Sequence, residues 1–431
     1  MQVKNSLSKK IYFLIIFLSI ITFFLNFYFK EFLVSGSQGD FYSFVFRNII
    51  LFKTDFIWSI TNYGKLDDAN WPFYYIFHAY LNPLSGSPNS YLISTTFIGF
   101  LTFIVLSFTF KNIYFNKLES IALASLILLL PWFNGRSHWG TSANLGWFFF
   151  VTTLFFYTKF ENTDFKKQLI SKNNLIFFIC LFSSLSLYSR LSLVFFPIFF
   201  SVIFLFSDEK VEYKIRLIIY YFILSIPAWI IIYIWGGIYD WQNDQIVEAA
   251  HSYKNILRNL PIIFSYFFFY LWPIFLLEIY DNGIKFFKSH KKIILSLLVV
   301  YFFLFFNSYF SYLSKFTYGG GVILKLGYLI KDNNLIFLIT SLLGAFFLYL
   351  FSKESKKNAF LIFIILVIYG HPIYPFQDYF EPLIFLLFFS KLIKSNRTYF
   401  VKKYFNFLVI TYFFYFLAYN ITLIIYKIYF T

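Results

Sequence analysis

Charge is scarce in this sequence. Only 13% of its 431 residues are Asp, Glu, Lys or Arg, where a soluble domain carries roughly 25%. Cys180 stands alone, which excludes an intrachain disulfide and any multi-thiolate metal site. No Gly-rich strand–helix motif is present to cradle a nucleotide phosphate. Gly319-Gly320-Gly321 follows no predicted strand and reads as a loop hinge. Heptads, low-complexity linkers and a convincing internal repeat are also missing.

Apolar and aromatic residues fill the space instead, at 59% and 26% of the chain. The few charges fall in clusters between long runs without any. Ile11 to Phe29, Ala69 to Phe110 and Leu217 to Tyr239 contain none. About 20 apolar residues suffice to cross a bilayer as a helix. The runs are continuous rather than alternating, which favours helices over a membrane barrel. The expected fold class is therefore all-α, a polytopic transmembrane helical bundle of about 11–13 spans. They fall near 11–29, 89–110, 120–133, 142–158, 174–189, 191–207, 217–235, 260–279, 293–312, 335–352, 358–371, 379–393 and 405–426. The chain 1–431 reads as one membrane domain without a soluble C-terminal domain.

With the N-terminus placed in the cytoplasm, the inner segments collect 24 of the 36 basic residues and 9 of the 20 acidic ones, 24 − 9 = +15. The outer segments hold the remaining 12 and 11, 12 − 11 = +1. That asymmetry is the positive-inside rule. The net charge of +16 is thus a topology signal, not a nucleic-acid footprint. Lys4, Lys9 and Lys10 precede the first run, and no small-residue cleavage site follows, so that run reads as an uncleaved signal anchor.

Inner loops are short. Outer ones are not: 30–88 is the longest, followed by 236–259 and 313–334. Four of the five histidines, His78, His138, His251 and His371, fall on the outer side, and His290 falls inside. Chemistry is therefore expected at the outer face. There the chain reads Ser35-Gly-Ser-Gln-Gly-Asp40, a flexible stretch delivering one carboxylate just above the membrane. Further along come Asp67-Asp68 and then Trp71-Pro72-Phe-Tyr74-Tyr75-Ile-Phe-His78. A Pro near a helix start is well placed, and Trp and Tyr suit headgroup depth. This segment is expected to form an interfacial helix.

The order of these elements resembles the GT-C class of membrane glycosyltransferases, which take sugar from a polyprenyl-phosphate donor. In that class an acid early in the first outer loop is the catalytic base, and a later aromatic, proline-containing stretch leads toward the second span. Asp40 matches the first element. Trp71-Pro72-Phe73-Tyr74-Tyr75 matches the second with one proline and Trp in place of His. Leu129-Leu-Pro131 and Gly135-Arg136-Ser-His138 look like the third-span end of bacterial members acting on lipopolysaccharide and cell-wall glycans. Tyr188-Ser-Arg190-Leu with Phe196-Pro197 looks like a later short turn. Trp235-Gly236-Gly237 with Asp240, Asp244 and His251 looks like an outer loop of dolichyl-phosphate-glucose glucosyltransferases. Tyr374-Pro-Phe-Gln-Asp378-Tyr-Phe-Glu381-Pro382 looks like the entry to a late span.

The resemblance implies inverting transfer from a polyprenyl-phosphate sugar to a lipid-linked or cell-envelope glycan, at the periplasmic face of a bacterial inner membrane. One carboxylate removes the acceptor proton, and cations stabilise the leaving phosphate. Asp40 is the expected base, with Arg136 and Arg190 as phosphate partners and Lys65 and Arg258 as weaker ones. Asp67, Asp68, Trp71, Tyr74, His78 and His251 are substrate-binding candidates or a second acid. No cofactor and no metal are expected, although Asp67 and Asp68 are suited to a divalent cation. Against each stands a plainer role: acids that stay solvated or cap a helix, and arginines that snorkel. The alternatives in function are a transporter or flippase of a lipid-linked sugar, and an O-antigen-type polysaccharide polymerase or ligase.

Overall fold

The computed structural model describes residues 2–29, 37–66, 71–114, 116–161, 171–237, 253–306, 321–324, 335–372, 375–390, 392 and 403–430. Among them 89% are helical and no strand occurs. Six helices among the described residues are long and apolar enough to cross a membrane: Ser8–Tyr28, Pro88–Tyr114, Val211–Trp235, Asn255–Gly283, Leu335–Ser352 and Phe405–Thr422. The chain is a multi-pass membrane protein. Val211–Trp235 makes the case most directly, with Phe222 70%, Trp229 62% and Tyr233 88% exposed. Such a surface fits hydrocarbon better than water.

Packing divides the chain into two compact units, 1–244 with 412–431, and 245–411. The first unit begins with α1 (Gln2–Tyr28), followed by four short helices, α2 (Ser37–Asp40), α3 (Phe46–Thr54), α4 (Phe56–Thr61) and α5 (Phe73–Tyr80). The helix expected after Trp71-Pro72 is α5, entered through Pro72. Ser37–Asp40, expected to be flexible, is helical and runs into a π-helical turn at Phe41–Val45.

The long helices α6 (Pro88–Tyr114), α9 (Ser142–Glu161), α10 (Lys172–Ser189) and α12 (Val211–Trp235) form the body of this unit, with α7 (Lys117–Ser125), α8 (Pro131–Trp139) and α11 (Phe195–Leu205) shorter. Small residues let α9 and α10 approach closely. Ser186 Oγ donates to Gly146 O at 2.8 Å, as expected where dispersion and short hydrogen bonds replace a hydrophobic drive.

The run expected as one span near 120–133 is broken. Lys117–Leu129 and Pro131–Trp139 meet at 70°. Pro131 has no N–H to donate, and it pushes Leu130 into an extended conformation at φ −68°, ψ 116°. The carbonyls freed by the break still need donors in a dry interior. Asn134 Nδ2 supplies Leu128 O at 2.9 Å, and Asn420 Nδ2, from the C-terminal helix, supplies Leu129 O.

The second unit contains the helical stretch Tyr253–Phe306, interrupted at Gly283 (φ 54°, ψ −146°), so the span expected at 260–279 and the described part, 293–306, of that expected at 293–312 fall on its two sides; 307–312 lie outside the described residues. Leu335–Ser352 packs against it. Ser341 Oγ donates to Pro261 O at 2.7 Å, and Phe347 meets Phe275 at 4.4 Å between ring centroids. At Gly344 the two backbones nearly touch: a Cβ there would lie 1.8 Å from Phe264 O. Gly344→Val is expected to lower stability by about 1–3 kcal/mol, the usual range for overpacking. Thermal unfolding in detergent measures it, and an unchanged midpoint would refute this close packing.

Candidate functional site

Four elements converge where the segment between α1 and α6 meets the ends of α6 and α8. Phe41, fully buried, is the anchor. Its ring stacks on Tyr91 at 5.6 Å and 17°, and meets Trp139 edge-on at 5.8 Å. Asp40, one residue earlier, is thereby held beside α8, one helical turn from Trp139 back to Arg136. Arg136 Nη1 donates to Asp40 Oδ2 at 3.3 Å. The predicted base and one predicted phosphate partner, 96 residues apart in the chain, form an ion pair. The arginine side chain is 15% exposed and the aspartate 49%, so a fixed cation faces a reachable acid. Asp40 Oδ1 accepts no hydrogen bond from any described residue.

Behind this pair lies a buried polar network. Gly140 ends α8 in the left-handed region at φ 55°, and its carbonyl accepts from Tyr91 Oη at 2.7 Å and from Tyr74 Oη. Tyr74 and Tyr91 also share a short hydroxyl contact. His78 packs edge-on against both rings, at 4.6 and 5.0 Å. Asn82 Oδ1 takes the Leu84 N–H at 3.0 Å, which turns its amide nitrogen toward Ser94 Oγ and toward His78 Nδ1 at 3.0 Å. His78 Nδ1 is then the acceptor and Nε2 carries the proton. That Nε2 is buried and finds no partner among the described residues.

Trp71, Arg190 and Lys65 lie elsewhere in the same unit, and Arg258 belongs to the second unit. Trp71 stacks on Tyr188 at 5.6 Å and 15°. Arg190, two residues further, is extended at φ −154° and gives Nε to Ser192 Oγ at 3.0 Å. Arg190 makes no contact with Asp40. Lys65 is exposed and donates to Asn62 Oδ1. Asp67, Asp68 and His251 lie outside the described residues.

Several contributors escaped the sequence reading. Tyr91 and Gly140 carry the carbonyl clamp. Arg47 Nη2 and Asn48 Nδ2 both donate to Leu66 O, at 3.0 and 3.3 Å, fixing the chain just before Asp67-Asp68. His138, expected in an outer turn, is buried against Phe23 and Phe27 of α1. Arg47 was legible as the one arginine between residues 30 and 88, whereas Tyr91 was one tyrosine among 36.

The second unit holds a separate chain of polar contacts. Val322 N donates to Gln377 Oε1 at 3.0 Å, Gln377 Nε2 donates to Tyr270 Oη at 2.6 Å, and Tyr270 donates to Glu381 Oε2 at 2.8 Å. Glu381 is fully buried. Among the described residues no three His, Cys, Asp or Glu converge to hold a metal ion.

No protein-family model, curated protein or solved structure matches this chain.

Burial holds the His78 imidazole neutral, its pKa lowered from 6.5 to about 3. The unfolded chain takes up this proton as pH falls below 6.5, while the folded chain refuses it until about pH 3. Stability is therefore present above that window and is lost as pH falls through it, by about 1.4 kcal/mol per pH unit. His78→Gln should flatten the dependence. The check is the midpoint of thermal unfolding in detergent at pH 7 and pH 4.5. Equal drops for the variant and the wild type would show that His78 is not the sensitive group.

Proposed function

We propose that this chain is a membrane glycosyltransferase of the GT-C kind, transferring a sugar with inversion from a polyprenyl-phosphate donor to a lipid-linked or cell-envelope glycan at the extracytoplasmic face. The observation that carries the reading is the Asp40–Arg136 pair: a half-exposed carboxylate with one unoccupied oxygen beside a well-buried guanidinium. A carboxylate and a cation are the minimum set for this chemistry. Asp40 takes the proton of the acceptor hydroxyl, the acceptor oxygen bonds to the anomeric carbon, and the bond from that carbon to the phosphate oxygen breaks. The phosphate leaves with the electron pair. Arg136 suits that developing charge because its planar fork matches phosphate oxygens. Approach from the face opposite the phosphate inverts the anomeric centre, by the logic of inverting glycosidases.

The surroundings support it in two further ways. A π-helical turn directly after Asp40 is a feature often found at functional sites. Tyr74, Tyr91 and Phe41 hold the first outer loop onto α6 and α8, and a general base must be positioned to within fractions of an ångström.

One observation favours a transporter of a lipid-linked sugar instead. Glu381 is fully buried and hydrogen-bonded by Tyr270, and ionisable groups in membrane proteins often mark a translocation path. The two readings separate in vesicles and cells. Under the transferase reading, Asp40→Asn lowers sugar transfer by about 10²–10⁴-fold with insertion unchanged, and cells lacking the protein accumulate glycans one sugar short. Normal transfer in Asp40→Asn, with glycan movement lost in Glu381→Gln, would replace it with the transporter reading.

A further inference from the structure

The Asp40–Arg136 contact also bears on the order in which substrates are used. Resting on the transferase reading, we infer that Arg136 holds Asp40 in reserve in the empty site, and that the donor phosphate takes Arg136 over and releases Asp40 to act as base. Three observations support the exchange.

The contact is a single one, Nη1 to Oδ2 at 3.3 Å, not the short two-bond fork that makes arginine–carboxylate pairs tenacious. A phosphate offers three oxygens to the same guanidinium and displaces one loosely held carboxylate oxygen. The partners also differ in freedom. Arg136 is 15% exposed and sits within α8, whereas the Asp40 side chain is 49% exposed on a helical backbone that continues through Phe41–Val45 into α3. With half of its side chain in the open, Asp40 can turn away, while the backbone behind it stays fixed by the buried Phe41. Finally, Asp40 and a phosphate are both anions competing for one cation, so arrival of the phosphate both removes the partner of Asp40 and repels it. Donor binding comes first, and a carboxylate still tied to Arg136 is withheld from the acceptor until then.

The test uses the full chain in detergent micelles with undecaprenyl monophosphate as the probe and the uncharged polyprenol as its control, binding being read by tryptophan fluorescence. The inference expects Asp40→Asn to bind the lipid phosphate about fivefold more tightly than wild type, the scale of a part-exposed ion pair. It expects Arg136→Gln to bind at least tenfold more weakly, because a charge-assisted contact is lost. Adding Asp40→Asn to Arg136→Gln should then bring no gain, since nothing is left to release. Asp40→Ser, too short to reach Arg136, serves as the second variant should Asn not fold. An unchanged or weaker affinity in both Asp40 variants overturns the exchange, as does an equal gain in the Arg136→Gln background. If wild type binds the lipid phosphate no better than the polyprenol, the donor class itself is wrong and the transferase reading fails with it.

Discussion

The carbonyl oxygen of Gly140 is the point on which the candidate site turns. It closes α8 in a left-handed turn and accepts from two tyrosine hydroxyls that arrive on different elements, α5 and α6. A buried carbonyl left without a donor costs about 1–3 kcal/mol, so this contact ties α5, in the segment between α1 and α6, to α6 and α8. Only glycine fits. A Cβ there would come within 2.6 Å of Thr95 and 2.8 Å of Tyr91, in a backbone conformation other residues avoid. Once Tyr91 is fixed, Phe41 has its stacking surface, and Asp40 follows from Phe41. Arg136, one turn before Gly140, gives its backbone carbonyl to the Gly140 N–H at 3.0 Å. Acid and cation are thus placed from the same turn.

That turn lies where it does because of a break upstream. Pro131 cannot continue the hydrogen-bond ladder of the preceding helix, and the chain bends by 70°. In water the freed carbonyls would be solvated. In a bilayer they need internal donors, and asparagines at 134 and 420 provide them. The second comes from nearly the other end of the chain, so the bend that presents Arg136 is secured by a residue 284 positions later (420 − 136). A short helix, α8, can then carry Arg136 and the glycine turn without itself having to span.

Much of this architecture was readable from hydropathy, and the exceptions share a cause. The runs 11–29, 89–110, 217–235 and 335–352 appear as helices because long uncharged stretches leave the backbone no other way to pair its polar groups. The stretch 120–133 misled because hydropathy adds up side chains, whereas Pro131 acts through a missing backbone donor. Ser37-Gln-Gly-Asp40 read as flexible from its glycines, yet it is helical, with the buried Phe41 directly after it. Asp40 and Arg136 were each visible alone, the first as a lone acid early in a large loop and the second as a charge at a helix end. Their pairing was not, since nothing local records a contact across 96 residues. Tyr74 was seen as part of an aromatic segment, but its partner Tyr91 was indistinguishable from the tyrosines that line a bilayer surface. Aromatic abundance hides the few aromatics that organise a site.

A lone exposed aspartate is weak ground for a function, because most such residues are merely solvated. What changes the weight here is the asymmetry of the pair. A surface ion pair formed for stability contributes little, and nothing about it requires one partner to be well buried and the other half open. Placing a cation where it is 15% exposed carries a desolvation cost, and a 3.3 Å contact to an acid that remains 49% exposed is the weak, exchangeable part of its surroundings. Under the transferase reading the guanidinium exchanges this contact for a stronger partner that arrives from outside. A lipid-borne phosphate is such a partner: it is anionic, it is delivered at the membrane surface, and its several oxygens use the arginine fork more fully than one carboxylate oxygen does. The aspartate then has the right place and the right freedom to act on whatever hydroxyl meets that phosphate's sugar.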